Sequence, residues 1–226
     1  MSEKPTALVT GASRGIGEAV ARALGPTHRV ILGGRDESAL AKLAAELPDA
    51  RVWPVELTSV RASDVAGISR LDVLVHSAGI APLGRIEETS VDTWRRLMEV
   101  NVIAVAELTR LLLPALRAAG GHVVCVNSGA GLNANPGWGG YAASKFALRA
   151  FADALRQEEP ELRVTSVYPG RTATDMQRQV RAHEGAEYEP DRYLRPESVA
   201  TAILGAITAT PDAHPTDLNL RSRPRP

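Results

Sequence analysis

Tyr141 and Lys145 lie four residues apart in the segment GYAASKFALRAF, at positions 140–151. The Ala, Leu and Phe residues around them favour a helix, on which residues four apart share one face, one turn from each other. A free tyrosine has a pKa of about 10, and a nearby ammonium group stabilises its phenolate form. The pair can therefore hold and move a proton. On this fragment alone, a surface tyrosine beside a solvated lysine is the alternative interpretation.

A glycine-rich segment follows the first apolar run of the chain. TALVT, at 6–10, leads directly into GASRGIG, which places Gly11, Gly15 and Gly17 where a strand turns into a helix. Glycine allows positive φ and close backbone approach, and a helix N-terminus attracts phosphate. The spacing G-x3-G-x-G differs from the common dinucleotide pattern G-x-G-x-x-G. We interpret the segment as a phosphate-binding loop, with an ordinary strand–helix turn as the alternative.

These groups need a framework, and the chain supplies short apolar runs that alternate with longer helical patterns. The alternation predicts one doubly wound, Rossmann-type α/β domain over residues 1–226, with a parallel sheet of about seven strands. The predicted strands are 6–10, 29–33, 51–55, 71–75, 122–127, 163–167 and 217–220. The predicted helices are about 15–25, 36–47, 90–118, 141–158 and 196–208.

Three segments depart from the regular alternation. Residues 59–70 leave room for only about two helical turns between the third and fourth strands. Residues 170–195 carry Pro, Gly and many charges, which predicts a long irregular loop that covers a substrate. Residues 221–226, RSRPRP, are expected to fray.

Composition argues against several classes of protein. Lys+Arg and Asp+Glu both number 26, so the net charge of zero disfavours nucleic acid or a membrane surface as a partner. We find no signal-peptide pattern and no apolar run of the ~18 residues that a membrane span needs. Cys125 is the one cysteine, which excludes an intrachain disulfide and suits a cytoplasmic protein. No metal-binding motif is present, so no metal is expected.

Six motifs occur together and in order: TGASRGIG at 10–17, SAG at 77–79, Asn101, Ser128, YAASK at 141–145 and YPG at 168–170. Together they resemble the classical short-chain dehydrogenases/reductases. The resemblance covers nearly the whole chain and implies hydride transfer between a nicotinamide cofactor and a carbonyl or alcohol substrate.

The resemblance also implies a role for each matched residue. Tyr141 would be the general acid or base, Ser128 would bond the substrate oxygen, and Lys145 would bind the ribose and lower the tyrosine pKa. Asn101 would distort its helix and hold a water in a proton relay. The remaining cofactor-binding residues would be Gly11, Ser13, Arg14, Gly15, Ile16, Gly17, Arg35, Glu56, Leu57, Ala78, Gly79, Pro169, Gly170, Thr172 and Thr174.

Structural alternatives exist for three of these residues. Ser128 could merely end a strand, and Asn101 could be a buried polar residue bonded to a neighbour. Thr174 could cap the segment that follows it, since Ser and Thr favour helix starts.

The chain departs from the family pattern at three places. His76-Ser77 stands where the family usually has Asn-Asn, and His76 is a candidate to replace the missing hydrogen bonds. Glu56 stands where an Asp often receives the adenine amino group. The chain ends without the Asp-Gly-Gly-type ending of many family tetramers, so a homodimer and a homotetramer are both open.

NADP(H) is predicted as the cofactor from the segment LGGRDES. Gly34 holds the position where NAD-preferring members usually carry an acidic residue that bonds the ribose 2′-hydroxyl. Arg35 follows it, and Arg14 could approach the same phosphate from the glycine loop. A solvated Arg35 is the alternative.

The substrate is expected to be a small or medium-sized carbonyl compound or alcohol with an apolar body. Two other functions stay open, a catalytically weak dinucleotide-binding regulator and a dehydratase or epimerase on the same fold. The predicted substrate-pocket residues are Leu132, Asn133, Trp138, Arg171, Met176 and Val180.

Overall fold

The computed structural model describes residues 4–223, which form one seven-stranded sheet in which every pairing is parallel. The order of the strands across the sheet is β3-β2-β1-β4-β5-β6-β7. This arrangement confirms the predicted doubly wound, Rossmann-type fold. The strands are β1 (Thr6–Thr10), β2 (Arg29–Gly34), β3 (Ala50–Pro54), β4 (Val73–His76), β5 (His122–Val126), β6 (Arg163–Pro169) and β7 (Asp217–Leu220).

Helices connect the strands and cover both faces of the sheet. Within residues 4–223, no helix combines the length and apolarity needed to cross a membrane. The α-helices are α1 (Gly15–Leu24), α2 (Glu37–Glu46), α3 (Ala62–Val65), α4 (Val91–Met98), α5 (Ala104–Arg117), α6 (Gly139–Glu158), α7 (Asp175–His183) and α8 (Pro196–Ile207).

Two predicted segments differ from the structure. The predicted helix 90–118 is interrupted by a π-helical turn, Glu99–Ile103, between α4 and α5. The predicted irregular loop 170–195 contains the nine-residue helix α7. Thr174 starts this helix by accepting a hydrogen bond from the backbone N–H of Gln177, the capping role that was the alternative interpretation of this residue.

The core has two apolar layers because successive strand residues point to opposite faces. In β1, Ala7 and Val9 belong to the layer formed with α1, α2 and α8. Leu8 belongs to the layer formed with α5 and α6. Cys125 of β5 is fully buried in this second layer, and burial raises the pKa of its thiol to about 12. The two-sided burial explains why the strands read as continuous apolar runs.

The direction of strand succession reverses beside β1, which pairs with β2 on one side and with β4 on the other. In open parallel sheets, such a reversal leaves a crevice at the carboxyl ends of the strands. The glycine loop follows β1 at this edge, Asn101 follows β4, and Ser128, Tyr141 and Lys145 follow β5. The topology alone therefore brings the predicted site residues to one edge of the sheet.

Three buried histidines should make the folded protein less stable at acidic pH. Burial lowers the pKa of His76 and of His122 to about 3, and it also lowers the pKa of His28. The unfolded chain takes up protons on these rings below pH 6.5 while the folded protein does not, so stability falls as pH falls. Between pH 7.5 and pH 5, His76 and His122 should each remove about 2 kcal/mol from the free energy of unfolding.

Urea unfolding at pH 7.5, 6 and 5 measures this loss. Most of the carboxylate titration lies below this window, so the histidines dominate the pH dependence within it. Equal unfolding free energies at pH 7.5 and pH 5 would contradict the prediction.

Candidate active site

A cavity of about 940 Å³ opens at the carboxyl ends of β1, β4, β5 and β6. All of the predicted cofactor-binding residues line it, as do Ser128, Tyr141 and Lys145. Of the predicted substrate-pocket residues, Trp138, Arg171, Met176 and Val180 line it. Leu132 and Asn133 are not among its lining residues, because the 3₁₀ turn Gly129–Gly131 comes between Ser128 and them.

The glycine loop packs so closely on neighbouring backbone that a side chain at Gly11 or Gly17 would collide with it. Gly11 and Gly15 have φ of +64° and +60°. A Cβ on Gly11 would lie 2.8 Å from the Cα of Ala78, and one on Gly17 would lie 2.2 Å from the Gly11 carbonyl oxygen. The loop therefore has the geometry that a pyrophosphate requires for contact with backbone N–H groups.

Helix α1 begins directly after this loop, at Gly15. Its N-cap residue, Arg14, is extended and makes no side-chain cap hydrogen bond. The first N–H groups of a helix have no partners within the helix, and they lie at the positive end of its dipole. The residues present therefore fit an anionic dinucleotide at this end of the cavity.

Tyr141 and Lys145 occupy the buried face of α6, 7% and 5% exposed respectively. The Nζ atom of Lys145 lies 5.9 Å from the centroid of the Tyr141 ring and donates a hydrogen bond to the carbonyl oxygen of Val126, at 3.0 Å. Ser128 stands at the N-terminus of the 3₁₀ turn, where its hydroxyl accepts from the N–H of Ala130. The alternative of a solvated Tyr–Lys pair is thus excluded.

Burial controls the proton affinity of both side chains. It lowers the pKa of Lys145 to about 8. Burial also raises the pKa of Tyr141 above its usual value, and a hydrogen bond with Ser128 opposes that rise only in part. The Tyr141 pKa is therefore raised rather than lowered as expected, because burial removes the phenolate from water. Tyr141 is held protonated, in the form that donates a proton.

Asn127 links these catalytic candidates and was not predicted from the sequence. Its Oδ1 accepts from the N–H of Ser128 at 2.8 Å, and its Nδ2 donates to the carbonyl oxygen of Lys145 at 3.0 Å. The side chain is buried and ties the end of β5 to α6. An Asn directly before Ser128, at the end of an apolar strand, was the available signal.

Asn101 lies in the π-helical turn, behind the cavity rather than on its wall. Its Oδ1 accepts from the N–H of Ile80, and its Nδ2 donates to the Ile80 carbonyl oxygen and to Ser144. The expected helix distortion is present. The side chain is hydrogen-bonded to neighbouring protein groups, which agrees with the alternative that Asn101 is a buried polar residue bonded to a neighbour.

Comparison with known proteins agrees with this geometry. The family model for short chain dehydrogenase matches residues 5–185. The chain belongs to the short-chain dehydrogenase/reductase family. A glycine betaine reductase of Emericella nidulans is 37% identical over 219 residues, which are 89% of this chain and 17% of that protein. This chain therefore spans about a sixth of the length of that relative.

Two solved structures resemble this short-chain dehydrogenase/reductase along nearly its whole length. An alcohol dehydrogenase of Thermococcus sibiricus, complexed with 5-hydroxy-NADP, has a TM-score of 0.87 and 29% identity, and the match covers 99% of this chain and 100% of that one. A short chain dehydrogenase of Escherichia coli CFT073, complexed with NADPH, has a TM-score of 0.85 and 28% identity, over 95% of both chains.

The position where the family usually carries Asn-Asn is braced in this short-chain dehydrogenase/reductase by Thr10. Its hydroxyl accepts from the N–H groups of Ser77 and Ala78, at 3.1 and 3.2 Å. His76 does not serve, since its ring lies inside the protein and bonds Thr109 at 2.9 Å. Thr10, the last residue of β1, was missed because its partners are distant in sequence.

The two arginines predicted to favour NADP(H) both line the cavity and both face carboxylates. Arg35 lies 3.5 Å from Glu56, and Arg14 lies 3.6 Å from Asp175. All four side chains are about half exposed or more, so these ion pairs are weak. Glu56 also accepts from Thr58, which shows that its carboxylate caps the turn after β3.

The wall of the cavity next to Tyr141 is built around Trp138. Its ring packs edge-on against Tyr141, with centroids 5.9 Å apart, and the Arg171 guanidinium lies 5.7 Å from the Trp138 centroid. Arg171 is also bonded through both terminal nitrogens to Glu184, at 2.7 and 2.9 Å. Glu184 therefore fixes the guanidinium beside Trp138, and the Arg171 side chain remains 37% exposed.

The end of the chain lies beside the site. Arg221 donates to the carbonyl oxygens of Tyr168 and Leu220, and its guanidinium lies against Gly129. The predicted fraying of 221–226 is thus wrong for Arg221, because β7 carries it to the ends of β5 and β6. Residues 224–226 lie outside the described residues.

Proposed function

We propose that this protein is an NADP(H)-dependent carbonyl reductase or alcohol dehydrogenase. The observation that carries the proposal is the position of Tyr141, Lys145 and Ser128 on one wall of the cavity whose other end is the glycine loop. A dinucleotide-binding regulator would not need a buried proton donor at that place. No described feature favours a dehydratase or an epimerase.

In the direction of carbonyl reduction, the protonated Tyr141 is the proton donor. A bound nicotinamide supplies the hydride. The Tyr141 hydroxyl donates its proton to the substrate oxygen, which Ser128 holds by a second hydrogen bond. The Lys145 ammonium, 5.9 Å from the tyrosine ring, stabilises the phenolate that this transfer leaves. Asn127 keeps Ser128 and α6 in register during the reaction.

Oxidation of NADPH with a panel of ketones and aldehydes tests the proposed function. Turnover with at least one carbonyl compound is the expected result. Binding of NADPH without turnover of any of them would favour the regulator, and loss of water from a hydroxylated substrate would favour a dehydratase. The apolar residues Met176 and Val180 on the cavity wall support a substrate with an apolar body.

The cofactor preference for NADP(H) is supported by Arg14, Arg35 and Gly34. A 2′-phosphate offers each guanidinium a charged acceptor in place of a weak exposed ion pair. Each such hydrogen bond is worth roughly 1.5–3 kcal/mol, about tenfold to a hundredfold in preference. The two structural relatives described above were solved with NADP-type dinucleotides.

Comparison of kcat/KM for NADPH and NADH measures this preference. NADPH should be favoured, and Arg35→Ala should lower kcat/KM for NADPH about tenfold while NADH kinetics stay nearly unchanged. Arg85→Ala is the matched control, since Arg85 is an exposed arginine that pairs with Glu87 away from the cavity. An NADH value equal to or above the NADPH value would refute the preference.

A homodimer or homotetramer with a two-fold axis at α5 and α6 is the assembly we propose. Ile103 and Phe146 are 51% and 42% exposed. Ala147 and Ala150 lie near Phe146 on α6 and leave room for a close helix approach. Closed two-fold symmetry is the commonest arrangement of soluble oligomers. Ala150→Arg should convert the oligomer to a smaller species in light scattering, whereas a monomeric wild-type protein would refute the assembly.

A further inference from the structure

Arg171 places a cation on the cavity wall near the proposed proton donor. Its guanidinium carbon lies 5.7 Å from the centroid of the Trp138 ring, and that centroid lies 5.9 Å from the centroid of the Tyr141 ring. One indole ring therefore stands between the guanidinium and the group that protonates the substrate carbonyl. A substrate that extends from Tyr141 across Trp138 reaches Arg171.

Glu184 uses only part of the hydrogen-bonding capacity of this guanidinium. An arginine carries five N–H donors, two on each terminal nitrogen and one on Nε. The terminal nitrogens of Arg171 each donate to one oxygen of Glu184, at 2.9 and 2.7 Å. Among residues 4–223, the Nε–H of Arg171 has no partner. Nε and the terminal nitrogen beside it therefore form a second face, which can bind another carboxylate through two parallel hydrogen bonds.

The cluster around Glu184 carries a positive charge. Its Oε2 atom also accepts from the Nη1 atom of Arg181, at 2.8 Å. One carboxylate thus serves two guanidiniums, and the three side chains together have a net charge of +1. The side chains of Arg171, Arg181 and Glu184 are 37%, 23% and 20% exposed, so water screens this charge only in part.

The first residues of α7 add apolar surface to the same cavity. Met176 and Val180 line it, and Asp175, the acidic residue of this helix on the cavity wall, lies 3.6 Å from Arg14 of the glycine loop. The carboxylate within 4.0 Å of the Arg171 guanidinium is, among the described residues, that of Glu184 alone. The wall therefore fits an apolar chain that ends in an anion.

We propose that Arg171 binds the carboxylate of an oxo acid through the guanidinium face that Glu184 leaves open. The inference rests on the proposed function and narrows its substrate class to carbonyl compounds with a carboxylate several bonds from the carbonyl group. The products are the corresponding hydroxy acids. Glu184 and the Trp138 ring hold the guanidinium in place before the substrate arrives, so little side-chain entropy is lost on binding.

Oxo acids and their methyl esters test the proposal by steady-state kinetics with NADPH. Acetoacetate, levulinate and 5-oxohexanoate are each compared with the methyl ester, which keeps the ketone and removes the charge. The wild-type protein should have the higher kcat/KM for the acid in at least one pair. Arg171→Gln should lower kcat/KM for that acid about tenfold to a hundredfold, mainly through KM, and leave the ester within about twofold.

Glu184→Gln separates anion binding from a structural role of the ion pair. Both substitutions break the same Arg171–Glu184 pair, so a purely structural pair predicts the same loss in both variants. For an anion site, Glu184→Gln adds positive charge to the wall, and the preference for the acid should be retained or raised. Arg178→Gln is the control and should leave the preference unchanged, because Arg178 is exposed, lies over the Tyr188 ring and is not on the cavity wall.

Three results would overturn the inference. The wild-type protein could prefer the ester in every pair, or reduce neither member of any pair while it reduces other ketones. Arg171→Gln could lower the activity toward acid and ester by the same factor. Glu184→Gln could lose the preference for the acid as fully as Arg171→Gln does. A wild-type protein that binds NADPH and reduces no ketone or aldehyde would instead contradict the proposed function itself.

Discussion

Tyr141→Phe is expected to lower kcat by about 10²–10⁴-fold, the usual contribution of a general acid. The substitution removes only the hydroxyl group, and the ring stays packed against Trp138 on the buried face of α6. The melting temperature and the affinity for NADPH should therefore be nearly unchanged. Stopped-flow measurement of hydride transfer gives the loss in rate, and NADPH fluorescence gives the binding affinity.

Tyr168→Phe is the matched control for this variant. Tyr168 is fully buried and lies outside the cavity. Its replacement should leave kcat unchanged. If Tyr141→Phe retains more than about a tenth of the wild-type kcat, Tyr141 is not the proton donor.

Gly17→Ala should disrupt the phosphate-binding loop. The new Cβ would lie 2.2 Å from the carbonyl oxygen of Gly11 and 2.7 Å from its carbonyl carbon. Both contacts are with backbone, so no flexible side chain can move aside, and either the loop or the start of α1 must shift. We expect the protein to lose about 1–3 kcal/mol of stability and the affinity for NADPH to fall more than tenfold.

Gly205→Ala provides the comparison within the same chain. Gly205 lies inside α8, and a Cβ there would meet no atom within 4 Å. Alanine is the better helix former, so this variant should gain about 0.5–1 kcal/mol and bind NADPH normally. Unchanged NADPH affinity in Gly17→Ala would show that the loop does not contact the dinucleotide.

Features that depend on local spacing were predictable from the sequence. The alternation of apolar runs and helical patterns gave the strands of the sheet because two-sided burial leaves a continuous apolar signal. The glycines after β1 predicted the tight loop because only glycine allows such close approach. The spacing of Tyr141 and Lys145 predicted their shared face for the same local reason.

Features that depend on contacts between distant segments were not predictable. Thr10 accepts from backbone N–H groups 67 and 68 residues away, and the hydrogen bond from Asn127 to the Lys145 carbonyl oxygen spans 18 residues, so nothing nearby in the sequence marks these partners. The direction of the Tyr141 pKa shift depends on burial, which the Tyr–Lys spacing does not reveal. The π-helical turn at Asn101 likewise needs Ile80 and Ser144 to hold its side chain.

The burial of Cys125 gives the protein an internal reporter of unfolding. A thiol with a pKa of about 12 and no exposed surface cannot react with a maleimide or a disulfide reagent until β5 separates from its neighbours. Because the chain has one cysteine, each labelling event reports the opening of the central sheet. Labelling rates measured with and without NADPH would report ligand binding as slower exposure of that strand, without an engineered cysteine or tag.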